Sequence, residues 1–222
     1  METLLSAYRG LRLSVSPGDQ DLVFAAAFLS RNTDYYANVV RWVRLLSPDG
    51  ELDPSLAVNA GRSFQLRQLP EVMASLREIS PLPRDPWEAR RRLLSLRWVG
   101  PKVADAFLLF TGASTELAPA DVHFLRLGVR LGLLSAEARA PDKRACLRWT
   151  CSECPRLEKC ATGASREALG PLAGWVQTAL YVHDRLFCFK GKCSVCPLLD
   201  LCSSPTGRSA ALRARRSRSR GP

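Results

Sequence analysis

The sequence predicts an all-α fold. Apolar residues recur at three- and four-residue spacing, helix start and stop signals punctuate them, and no stretch sustains a period-two alternation of β-branched residues. Leu22, Val23, Ala26, Ala27 and Phe28 form the first clear helical stripe. A second runs through Tyr36, Val39, Val40, Val43 and Leu46, with Thr33 placed to cap it. Pro70 is expected to open another helix, with Val72, Met73 and Leu76 on one side. Asp85-Pro86-Trp87-Glu88 is a strong helix start: an acidic cap, proline at the first helical position, and glutamate three residues after the cap.

Leu93, Leu94 and Leu96 close that helix, and Arg97-Trp98-Val99-Gly100 makes a very short connection. Pro101 then starts a helix through Val103, Ala104, Ala106, Phe107, Leu108 and Phe110, which Gly112 stops. Two apolar helices so joined form a helix-hairpin-helix unit. Its turn can present backbone N–H groups and a positive helix end to a phosphate, although most short helix corners serve only packing.

A chain of 222 residues supports one domain or two small units sharing a core. Thirty-two Lys and Arg against 21 Asp and Glu leave +11, and 46% hydrophobic composition is that of a folded chain. No apolar run approaches a membrane span, so no membrane association is expected. Glu2 and the lack of a sustained apolar stretch near the start argue against a signal peptide, which implies a cytoplasmic, nucleoid-associated protein, or a nuclear one in a eukaryote. In that setting eight cysteines point to metal thiolates rather than disulfides. Two histidines, His123 and His183, are too few for a His-rich catalytic centre. Six Arg and no acid lie between Arg208 and Arg220, so 205–222 reads as a disordered basic tail, either a solubilising extension or an arm for nucleic acid.

Lys102 follows Pro101 in the first turn of its helix, where the positive helix end disfavours an ammonium and makes the neutral amine more accessible. Such an amine suits Schiff-base chemistry at a sugar carbon. Nineteen residues on, Asp121 precedes an apolar helix through Val122, Phe124, Leu125 and Leu127, a cap position that holds a carboxylate ionised. A lysine there can equally be a solvated charge or a phosphate contact, and the aspartate a plain cap.

The cysteines fall into two quartets. Cys188, Cys193, Cys196 and Cys202 have four, two and five residues between them, with Pro197 after the third. Cys146, Cys151, Cys154 and Cys160 repeat the spacing, each 42 residues earlier, with Pro155 after the third. Four thiolates within one loop suit a compact metal centre, and spacing alone leaves 4Fe–4S and zinc both open.

Three stretches together resemble the helix-hairpin-helix DNA glycosylases of the endonuclease III superfamily. They are Leu96 to Asp105 followed by Pro119-Ala120-Asp121-Val122-His123, the earlier Phe28-Leu29-Ser30-Arg31-Asn32-Thr33-Asp34, and Leu180 to Cys188 leading into the second quartet. The similarity runs in order from about residue 20 to Cys202. One departure stands out. The family's hairpin usually reads Leu-Pro-Gly-Val-Gly, and here Arg97-Trp98 replace Pro-Gly. If the family's first glycine takes φ > 0, Trp98 carries a conformational cost at that place.

The resemblance implies two helical lobes flanking a cleft: 20–122 with the hairpin, and 1–19 plus 123–204 with both quartets. It implies that Lys102 is the nucleophile and Asp121 the carboxylate that activates the sugar, in a bifunctional DNA glycosylase/AP lyase that excises oxidised bases from duplex DNA. Arg31 and Asn32 would fill the gap left by an extruded base, while Val99, Gly100, Lys190 and Lys192 would meet phosphates. It also makes 4Fe–4S the expected group at Cys188/Cys193/Cys196/Cys202. Repetition extends that expectation to Cys146/Cys151/Cys154/Cys160, with zinc as the runner-up, in a chain expected to be monomeric. The run around Lys102 and Asp121 looks closer to 8-oxoguanine glycosylases, which generally lack the cluster. Competing readings are a non-catalytic iron–sulfur DNA-binding protein, a monofunctional glycosylase for another damaged or mismatched base, and a zinc-bearing interaction module.

Overall fold

The computed structural model describes residues 1–203; the basic tail at 205–222 lies outside the described residues. Among the described residues eleven α-helices carry the fold: α1 (Glu2–Ala7), α2 (Gln20–Leu29), α3 (Val40–Leu46), α4 (Ala57–Ala60), α5 (Phe64–Glu78), α6 (Pro86–Ser95), α7 (Pro101–Phe110), α8 (Val122–Arg130), α9 (Lys143–Arg148), α10 (Ala161–Leu169) and α11 (Ala173–His183). Short 3-10 and π turns link them. Among the described residues there is no strand, only an isolated bridge between Arg139 and Cys160. No helix among them is long and apolar enough to cross a membrane.

The helix signals are used largely where they occur. The Asp85 side chain accepts from the Glu88 N–H at 2.7 Å, and the Asp121 side chain accepts from the Phe124 N–H at 2.8 Å. Gly112, just past the end of α7, has φ +80, the left-handed geometry that glycine adopts without a Cβ penalty. Two expectations need correction. Pro70 does not open a helix: α5 begins at Phe64, capped by Ser63, and runs through it. Leu66, Leu69, Met73 and Leu76, buried on both sides of the proline, hold the helix together despite the missing backbone donor. Thr33 is not the cap before α3; Asp34 is, accepting from the Ala37 N–H at the start of a π turn, while the Thr33 hydroxyl accepts from Asn38.

The hydrophobic core is divided. One cluster is built on α2 to α7 and ends at Leu117, around Phe24, Phe28, Leu69, Met73, Leu94 and Phe107. The other begins at Ala118 and gathers Phe124, Leu127, Val176 and Leu180, with Leu4 from the N-terminal helix. The chain thus passes from one core to the other immediately before Asp121. The N-terminal segment is pinned to the second core by the Trp175 indole, which donates to the Leu11 carbonyl at 3.0 Å.

Candidate active site

The hairpin is α6, the turn Leu96 to Gly100, and α7. Trp98 has φ +62, a left-handed conformation that a bulky side chain rarely adopts. The anticipated cost is therefore present. Offsetting it, Trp98 packs half-buried against the first core, and the Arg97 guanidinium covers its ring at 4.4 Å. Val99 is buried. Gly100 caps α7, and a Cβ built there would meet nothing within 4 Å, so the turn is open on that side.

Arg31 turns toward this corner. Its guanidinium donates to the Trp98 carbonyl at 3.1 Å, the Phe28 carbonyl at 2.9 Å and the Gln68 side chain at 2.8 Å, and stacks 3.7 Å above the Phe28 ring. Burial lowers its pKa to about 10. It is thus joined to the strained turn, while Asn32 beside it is exposed with φ +49.

The Lys102 ammonium lies in the first turn of α7 and donates to the Ser30 hydroxyl at 2.6 Å and the Ser30 carbonyl at 3.1 Å. Its pKa is lowered, first by burial; the Asp121 carboxylate pulls it up and the Arg31 charge pulls it down. Desolvation is the leading cause among those acting on it. The Asp121 carboxylate thus lies within electrostatic reach of Lys102, each group at the start of its own helix. Ser30 is the partner that spacing did not single out.

Around them stand groups from both cores. His123 packs edge-on to Tyr181 at 5.1 Å and bonds the buried Asp184, which also accepts from Arg126. Burial pushes Tyr181 up to about 12. Arg185 pairs with Asp34 at 2.8 Å, joining the segment after α11 to the one after α2, and lies near the rings of Tyr36 and Phe189. Tyr36 and Phe189 are exposed aromatics at this margin. A separate open groove, lined by Tyr8, Leu11, Leu172 and Trp175 among others, includes none of these residues.

The first quartet is gathered: Cys146, Cys151, Cys154 and Cys160 all line one small cavity with Trp149, Leu157 and Gly163. In the second, Cys188 is influenced by Cys196 and Cys202, and Cys196 by Cys202 and Cys193. The Cys196 sulfur also lies 3.4 Å from the His183 Nε2, whose other nitrogen bonds the Tyr8 hydroxyl. Burial pushes the Cys151 and Cys188 thiols up to about 11, so holding thiolates here calls for added positive charge. No three His, Cys, Asp or Glu side chains among the described residues stand where they could hold a single metal ion. Lys190 and Lys192 are exposed on the second loop.

No family model matches the chain, and no curated protein does. Among solved structures it is similar to a Clostridium acetobutylicum 8-oxoguanine glycosylase/lyase determined in complex with double-stranded DNA containing cytosine opposite 8-oxoguanine. The TM-score is 0.61 at 16% identity, covering 83% of this chain. This chain spans 65% of the length of that one. At that identity, the two share a fold.

Proposed function

We propose that this chain is a DNA glycosylase with AP-lyase activity that removes oxidised bases from duplex DNA. The observation that carries the reading is the Lys102 amine, desolvated in the first turn of the second hairpin helix and acted on by the Asp121 carboxylate. An amine of lowered pKa attacks carbon; a carboxylate within electrostatic reach of it stabilises the positive charge that grows on the sugar as the base departs.

In the proposed sequence the damaged nucleotide is rotated out of the stack, at a cost of a few kcal/mol that a lesion reduces. The Lys102 Nζ lone pair bonds to C1′, the glycosidic bond breaks, and the base leaves with its bonding electrons and takes up a proton. The sugar ring opens to an iminium between Nζ and C1′. Loss of a C2′ proton then expels the 3′ phosphate, nicking the strand, and water hydrolyses the iminium to free Lys102. The open side of the turn at Gly100 fits a phosphate, and the shared fold with a lesion-DNA complex supports a duplex partner.

The reading extends to 4Fe–4S groups: Cys146, Cys151, Cys154 and Cys160, which line one cavity, would hold one, with zinc as the runner-up there, and Cys188, Cys193, Cys196 and Cys202 the other. Such a group, when bound, supplies structural cross-linking and one-electron redox capacity. Nothing in the excision steps requires it.

The test is borohydride trapping on single-lesion duplexes, beginning with 8-oxoguanine opposite cytosine and adding oxidised pyrimidines and an abasic site. Wild type should give a covalent adduct on at least one, and Lys102→Gln none. A wild-type chain that traps none of these duplexes overturns the lyase reading, and binding without trapping would favour a non-catalytic DNA-binding protein.

A further inference from the structure

Between α6, α7 and α10 lies a fully buried polar chain that the proposed reaction does not use. Arg90 on α6 grips Asp105 on α7 with both ends of its fork, at 2.5 and 3.2 Å, and both side chains are sealed from solvent. Burial opposes the Arg90 charge, and the Asp105 carboxylate more than offsets that; the Cys146 side chain also acts on Arg90 electrostatically. Thr162, completely buried two residues after Cys160, completes the chain. Its hydroxyl donates to the Ala118 carbonyl at 2.9 Å, with the second Asp105 oxygen at 3.4 Å as the lesser acceptor. Two quartet cysteines, Cys146 and Cys160, therefore flank this chain.

Its anchor points are informative. Asp105 is three residues after Lys102 on the same helix, so the two share a face and move together. Ala118 is three residues before Asp121, in the segment where the chain crosses between the cores. One hydroxyl thus touches both the helix that carries the nucleophile and the segment that leads to the carboxylate.

We infer that Thr162 is a positioning residue that sets the separation of Lys102 and Asp121. This rests on the glycosylase/lyase reading. Thr162 touches neither side chain and acts through Asp105 and Ala118. A misplacement of about 1 Å at a reacting pair is enough to slow a reaction on the order of a hundredfold, so loss of one fixed hydrogen bond is expressed in the chemical step rather than in binding.

Thr162→Val removes the hydroxyl at nearly constant shape, and Thr162→Ser returns it. At saturating lesion duplex the Val variant should trap on the order of tenfold more slowly, with duplex affinity within about twofold of wild type and the rate restored by Ser. Lys102 is one of five lysines in the chain, so reductive methylation with labelled formaldehyde lets its titration be followed by NMR without DNA. That titration should shift in the Val variant and return in Ser. Wild-type trapping and titration in a Val variant that is merely less stable overturns the inference. A wild-type chain that fails to trap removes the glycosylase reading instead, and the titration comparison still decides Thr162. Should the Val variant not fold, Thr162→Ala removes the same hydroxyl with less bulk, and is read against the same outcomes.

Discussion

The Lys102 amine meets the Ser30 hydroxyl at 2.6 Å, across from α7 to the end of α2. Ser30 gives its own proton to the Ala27 carbonyl at 2.8 Å, so toward Lys102 it acts as acceptor. An acceptor favours the charged amine, while burial favours the neutral one, and burial dominates. Because the lysine pKa is lowered, the reactive free amine appears on the alkaline side of a value below the usual lysine range. Single-turnover trapping rates should rise with pH and level off before that range is reached. Ser30→Ala removes an acceptor from the ammonium and should move the rise to still lower pH. A rise that stays in the ordinary lysine range in both proteins would contradict the desolvated amine.

Trp98 yields a prediction of order. Its left-handed backbone costs a non-glycine residue about 1–2 kcal/mol, a cost Trp98→Gly relieves and Trp98→Ala retains. Both variants lose the half-buried ring. The Gly variant should therefore be the more stable of the two by about 1 kcal/mol in urea unfolding, the reverse of the usual order. An Ala variant equal to or above Gly would show that the turn relaxes out of this conformation.

Arg31 was expected at the DNA, and its donors are occupied by Phe28, Trp98 and Gln68. Truncating a hydrogen-bonded charged group of this kind should cost on the order of 2–4 kcal/mol. Arg31→Ala should thus lower the unfolding midpoint markedly. Were Arg31 chiefly a phosphate contact, the change would instead appear as a shallower salt dependence of duplex binding at unchanged stability.

The parts of the fold legible in the sequence are those governed locally. Asp85, Asp121, Pro101 and Gly112 act within a turn of their own position, and each sits where its chemistry implies. Pro70 misled because burial of Leu66, Leu69 and Met73 outweighs one absent backbone donor, and burial is a tertiary property. The site followed the same division. Lys102 and Asp121 stand out by their helix starts. Ser30, Asp105, Thr162 and the Arg185–Asp34 pair do not, because their partners lie 15 to 151 residues away, and nothing local marks them. Even the leading cause of the lowered Lys102 pKa was hidden, since a helix end can be read from proline but desolvation cannot.

The repeated quartets separate iron from zinc, and one centre from two. If each quartet holds its own 4Fe–4S group, anaerobically purified protein is brown, and iron and sulfide occur in equal amounts. Cys146→Ala and Cys188→Ala should then each retain about half of the wild-type iron, because the two loops ligate independently. Cross-ligation predicts that either variant loses nearly all of it. Zinc at the first loop predicts that Cys146→Ala leaves iron untouched and loses zinc. The consequences for Lys102 should also differ: Cys146 packs against the first core and acts on Arg90 of α6, whereas the second quartet adjoins His183 and Tyr8 in the other core. Cys146→Ala should therefore slow trapping more than Cys188→Ala does at equal folded fraction. Equal slowing by both would mean that the first quartet has no privileged connection to Lys102 and Asp121.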